Sequence, residues 1–108
     1  MEDKMTLHPT IKIIRTYSAG VFMGEIDEST RSADGKRAVL LNSRMLWRWE
    51  GASALSELAM HGVSKPNDCK FPCLVDRREV TEIVEVLHCT HKAIESVNSV
   101  PEWKQRDE

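Results

Sequence analysis

SRMLWRWEGASALSELAMHGV, residues 43–63, runs an aromatic, basic segment directly into a short amphipathic one. If residues 44–49 form a strand, the period of two puts Met45, Trp47 and Trp49 on one face and Arg44, Leu46 and Arg48 on the other. Two large rings on one side of a strand bury a great deal of surface, so the tryptophans are expected to pack the core. Trp47→Ala is then expected to cost about 3–5 kcal/mol. The opposite face is mostly basic, with Arg44 and Arg48 roughly 13 Å apart along the strand. After Glu50-Gly51, the run ASALSELAMHG predicts a short helix. Ser53 is placed as N-cap, Leu55, Leu58 and Ala59 form an i, i+3, i+4 stripe, and Gly62 sits at the C-terminal turn.

On the N-terminal side, IKIIRTYS (11–18) and VFMGEID (21–27) read as two strands joined by the small residues Ser18-Ala19-Gly20. The polar tract DESTRSADGK (27–36) closes on Asp34-Gly35, a hairpin signal that leads into a third strand, RAVLL (37–41). On the C-terminal side, SKPND (64–68) is a loop. CKFPCLV (69–75) is interrupted by Pro72, which makes it an edge strand or an extended segment. VTEIVEVLHC (80–89) carries apolar residues on both faces, as an interior strand would. Thr90 is placed to cap a last helix, HKAIESVN, with Ala93, Ile94 and Val97 on one face and Pro101 ending it.

The fold class expected is therefore α+β: a small, mostly antiparallel β-sheet or partly open barrel of about five to six strands, with two short helices. A chain of 108 residues fits a single domain over 1–108. Its core is expected over about 10–99, with a flexible lead-in (1–9) and tail (100–108). A domain this small buries a modest core, which favours a homo-oligomer.

Composition removes several function classes. The net charge of −2 gives no global attraction to nucleic acid or anionic membrane, and without a basic stripe it argues against direct binding to duplex DNA. There is no apolar run of about 18 residues to cross a membrane. The start, MEDKMTLHPT, lacks the basic and apolar zones of a signal peptide, and three cysteines make a poor disulfide framework, so an intracellular location is expected.

Catalytic and metal patterns are weak. Cys69, Cys73, His88, Cys89 and His91 are zinc-ligand types, but C-x3-C followed by H-C-x-H is not a paired knuckle, and His88 and Cys89 point to opposite faces of a strand. Ser18 lacks a nucleophile elbow, and no glycine-rich phosphate loop is present. Glu25, Glu82 and Glu85 read as solvated strand residues. No catalytic residue, metal or cofactor is assigned. The residues expected to bind a ligand or partner are Arg15 and Tyr17 on the first strand, Arg44 and Arg48 on the basic face, and Trp103 in the tail. Lys36 and Arg37 stand at the start of the third strand. If these strands pair, guanidinium groups and an aromatic ring would surround an anion such as a nucleotide.

RTYSAGVFMGE (15–25), LLNSRMLWRWEGASALSELAMHGV (40–63), CKF and VLHCTHKA (86–93) together resemble a family of small uncharacterised proteins of tailed bacteriophages and prophages. The resemblance spans roughly residues 13–97 and carries no established activity. What it implies is a setting, the host cytoplasm. Small phage accessory proteins without catalytic motifs often act by binding, either blocking a host defence complex, as anti-CRISPR proteins do, or sequestering a nucleotide signal. The partner expected is thus a host protein or a small anionic nucleotide. A structural or assembly accessory and a metal-dependent hydrolase are the alternatives.

Overall fold

The computed structural model of the chain describes residues 4–104; of the expected lead-in and tail, residues 1–3 and 105–108 lie outside the described residues. Five strands make one antiparallel sheet: β1 (Leu7–Thr16), β2 (Val21–Asp27), β3 (Ala38–Met45), β4 (Leu74–Val80) and β5 (Ile83–Thr90). Helix α1 (Leu55–His61) lies between β3 and β4, and α2 (His91–Asn98) follows β5. The strand order is β4-β3-β2-β1-β5. The α+β class read from the sequence is the one observed.

β4 and β5 occupy opposite edges of the sheet, yet only Thr81 and Glu82 join them. A link that short forces the sheet to curl until its edges approach. At the seam, the Ile83 amide donates to the Lys36 carbonyl (2.9 Å) and the Tyr17 amide to the Glu82 carbonyl (2.9 Å). Glu82 takes a left-handed φ of 59° to make the turn. The curl gives the sheet two buried faces. Inside it, Ile14, Phe22, Ile26, Ala38, Leu40, Val80 and Ile83 form one cluster. Outside it, Ile13, Met23 and Cys89 pack with Leu58 and Ala59 of α1 and with Ile94 and Val97 of α2. Neighbouring residues such as Ile13 and Ile14, or Phe22 and Met23, therefore serve different cores, as the strand period requires.

The same curl explains why β5 has apolar residues on both faces without being an interior strand. It is an edge, with Val86 against the inner cluster and Leu87 against the outer. The other edge, β4, begins just after Pro72 and runs through the charged residues Asp76–Glu79. α1 departs from expectation at its start: Ala54 is the N-cap, with no side-chain cap, and the Ser53 amide donates to the Glu57 carboxylate. α2 starts as read, with the Thr90 hydroxyl accepting from the Ala93 amide at 3.0 Å.

One irregularity rearranges the decisive segment. Met23 pairs with Arg44 and Glu25 with Leu41, so Asn42 and Ser43 together face Gly24. This is a β-bulge, with Asn42 at φ 50°, a conformation Asn tolerates better than most residues. A Cβ on Gly24 would lie 2.8 Å from the Ser43 backbone, so the bulge needs glycine there. The extra residue reverses the parity of β3. Leu40 lies inside the curl and so does Met45, which sends Arg44 and Leu46 to the helix side. β3 ends at Met45, before the tryptophans.

If the bulge rests on a left-handed Asn42, Asn42→Val should lower unfolding free energy by about 1–2 kcal/mol while Asn42→Gly stays near wild type. Urea denaturation of both variants checks this; equal losses would contradict the assigned backbone.

Candidate functional site

Beyond the end of β3 the chain forms a small three-segment platform. Arg48 and Lys70 make an isolated antiparallel bridge, with the Lys70 amide donating to the Arg48 carbonyl at 2.7 Å and the Arg48 amide to Lys70 at 3.3 Å. Phe71 pairs in parallel with Glu102, and the Trp103 amide donates to the Phe71 carbonyl at 2.9 Å. Alternation then sorts the side chains. Cys69 and Phe71 point into the core, and Lys70 between them points out. Leu46 is likewise buried, while Trp47 projects outward, 54% exposed.

Trp47 and the half-buried Trp103 thus meet, their ring centroids 5.0 Å apart and their planes inclined by 38°. The Lys70 ammonium lies over both rings, 5.6 Å from the Trp47 centroid and 5.5 Å from that of Trp103. Among the described residues, neither Lys70 nor Arg48 takes part in an ion pair. Beside the rings opens a shallow hollow of about 410 Å³ lined by Arg48, Glu50, Asn67, Asp68, Lys70 and Trp103. It holds two cations and two carboxylates.

Arg44 anchors this platform from beneath. Its Nε donates to the Pro72 carbonyl (2.9 Å), Nη1 to Val97 (3.2 Å), and Nη2 to both Phe71 (3.0 Å) and Val100 (2.9 Å). Its carbon Cζ lies 5.5 Å from the centre of the Phe71 ring. Burial pushes the guanidinium below its ordinary value, and the charge of Glu102 acts in the other direction. Arginine remains charged regardless. The Phe71 carbonyl accepts from both Arg44 and the Trp103 amide, so one oxygen ties β3 to the segment that carries Trp103.

The expected basic face is corrected here. Arg44 is only 9% exposed and donates to four backbone carbonyls, so it does not present a free guanidinium on a basic sheet face. Arg15 is paired with Glu85 across β1 and β5 at 2.8 Å, and Tyr17 projects from the β1–β2 turn, 81% exposed. Of the five expected residues, Arg48 and Trp103 come together around one hollow. The core role expected of Trp47 is also corrected, whereas Trp49 does pack against the outer core cluster. Reading the sequence missed Lys70 altogether. The alternation of Cys69, Lys70 and Phe71 was the signal that could have turned it outward.

The thiols and imidazoles are dispersed. Cys69 is buried, with its Sγ accepting from the Glu50 amide at 3.4 Å. Burial raises the Cys89 thiol to about 11, far from the thiolate form a metal requires. Cys73 is exposed, and His91 packs its ring 5.0 Å from that of His8. Among the described residues, no three His, Cys, Asp or Glu side chains are grouped to hold a metal ion. No helix among them is long and apolar enough to cross a membrane.

A family model described as a domain of unknown function (DUF6948) matches residues 10–97, which takes in Trp47, Arg48 and Lys70 but not Trp103. No curated protein and no solved structure matches the chain.

These placements separate two substitutions by their effect on folding. Arg44→Met takes a donor from four carbonyls, of which Phe71 and Val97 keep a backbone donor, and should cost about 3 kcal/mol or more, with Arg44→Lys a poor rescue because an ammonium lacks the planar fork. Trp47→Ala should cost less than about 1 kcal/mol, since the ring is more than half in solvent. Thermal unfolding of the three variants tests both; a collapse of the Trp47 variant would return that ring to the core.

Proposed function

The chain belongs to the family described as a domain of unknown function (DUF6948), and we propose that it acts by binding a protein partner rather than by catalysis. The observation that carries this reading is the outward-facing Trp47–Trp103 pair, flanked by Lys70 and Arg48. A solvent-exposed tryptophan costs solubility and contributes nothing to the core, whereas tryptophan and arginine dominate the energetics of protein interfaces. The pair stands on a platform made rigid by the Arg44 bonds, which lowers the entropy lost on docking.

Two features favour a protein over a nucleotide as the partner. Small-molecule sites are concave and enclose most of their ligand, whereas this hollow is shallow and open. Its lining also sets Glu50 and Asp68 beside the cations, and carboxylates repel phosphate. A protein surface, with both charges and apolar side chains, suits a mixed patch of this kind.

The resemblance to tailed-phage proteins supplies the biological setting of the proposal. The partner is a component of host antiviral defence, met in the host cytoplasm and blocked stoichiometrically.

Native mass spectrometry of the chain purified from phage-infected cells tests the reading. A stoichiometric host protein should accompany the wild type and be lost from a Trp47→Ala/Trp103→Ala variant of unchanged melting temperature. A wild-type chain carrying only a nucleotide-sized mass, or nothing, would overturn it.

A further inference from the structure

The ammonium of Lys70 rests on indole rings instead of on a carboxylate. Glu50 and Asp68 line the same hollow, yet Lys70 is paired with neither, and its Nζ lies about equally far from the two ring centroids. The faces of two inclined tryptophans form a ledge of negative quadrupole, the chemistry that selects cations. With two carboxylates close by, that ledge is completed for a positive group from outside. Lys70 is the chain's own cation standing on it.

We infer that the Trp47–Trp103 ledge is a cation-recognition site whose resident occupant is Lys70, and that a protein partner docks by replacing this ammonium with an arginine side chain. The inference deepens the protein-binding reading and rests on it. Arginine suits the ledge better than lysine does. Its planar, weakly hydrated guanidinium stacks on an indole face and leaves edge N–H groups free for Glu50 or Asp68. The displaced Lys70, half-buried in the free protein, has a four-carbon stem and two carboxylates in the same hollow to turn towards. The rings, 5.0 Å apart, are too close to admit a group between them, so the partner lies across their outer faces. The arrangement makes Lys70 a competitor: it shields the indoles in the free protein and weakens partner binding by the interaction it surrenders.

An unusual expectation follows, since deleting a cation should strengthen binding of another cation. The test uses the indole Nε1–H signals of the full-length chain in two-dimensional NMR, with Trp49 as internal reference. N-acetyl-arginine amide is titrated as probe against N-acetyl-norleucine amide and adenosine monophosphate at matched ionic strength. Lys70→Ala should bind the arginine probe about two- to five-fold more tightly than wild type, with shifts at Trp47 and Trp103. Trp47→Ala should abolish the response, and Lys70→Gln serves if the alanine variant folds poorly. Unchanged or weaker arginine binding in the Lys70 variants would overturn the inference, as would preferential binding of the phosphate probe. Failure of this titration leaves the mass-spectrometric test of a protein partner standing, so failure of the inference is distinguishable from failure of the reading it rests on.

Discussion

A positive charge buried without a carboxylate partner is the constraint on which the rest of this structure depends. Taking a guanidinium out of water is costly, and the cost is offset only if its donors are met. Arg44 meets them with four backbone carbonyls, from Phe71, Pro72, Val97 and Val100, and with the face of the Phe71 ring. Val97 lies in the last turn of α2 and Val100 just beyond it, where the negative end of the helix dipole favours a cation. Three separated parts of the chain, β3, the segment of Phe71 and Pro72 before β4, and the end of α2, are thereby held by a single side chain.

That knot also determines where the surface chemistry falls. Because Arg44 and the Trp103 amide share the Phe71 carbonyl, the segment bearing Trp103 is fixed relative to the one bearing Lys70. The antiparallel bridge between Arg48 and Lys70 adds Trp47 to the same platform. Inward and outward positions are therefore divided among neighbours. Arg44, Leu46 and Phe71 face inward and organise; Trp47, Arg48 and Lys70 face outward and carry the proposed binding role. An interface on such a base needs little reorganisation on binding. The family match extends over the organising residues and ends before Trp103, so one half of the aromatic pair lies outside the matched region.

The curl of the sheet has a parallel effect on the opposite side of the fold. A two-residue link between edge strands gives a small chain two clusters of buried apolar residues, one within the curl and one beneath the helices. Arg78 strengthens the first: its Nε donates to the buried Ser43 hydroxyl at 2.9 Å and its guanidinium lies 4.5 Å from the centre of the Phe22 ring. Arg44 of β3 and Arg78 of β4 are thus packed against aromatic rings, where their hydrocarbon stems add burial.

Local chemistry alone determined much of this protein. The strand segments, the Thr90 cap, the buried stripe of α2 and the α+β class all follow from periodicity and capping, which depend on residues a few positions apart. Other features depended on contacts distant in sequence. The bulge at Asn42 and Ser43 arises because Gly24, on another strand, leaves room for it, and this one extra residue reverses which face Arg44 and Leu46 occupy. Trp47 lies outside because β3 ends at Met45 and residues 48–50 turn to meet residues 69 and 70. The apolar face of β5 marks an edge of a curled sheet because the two-residue link to β4 closes the curl. A period of two reports that side chains alternate; only the tertiary partners decide which side is the interior.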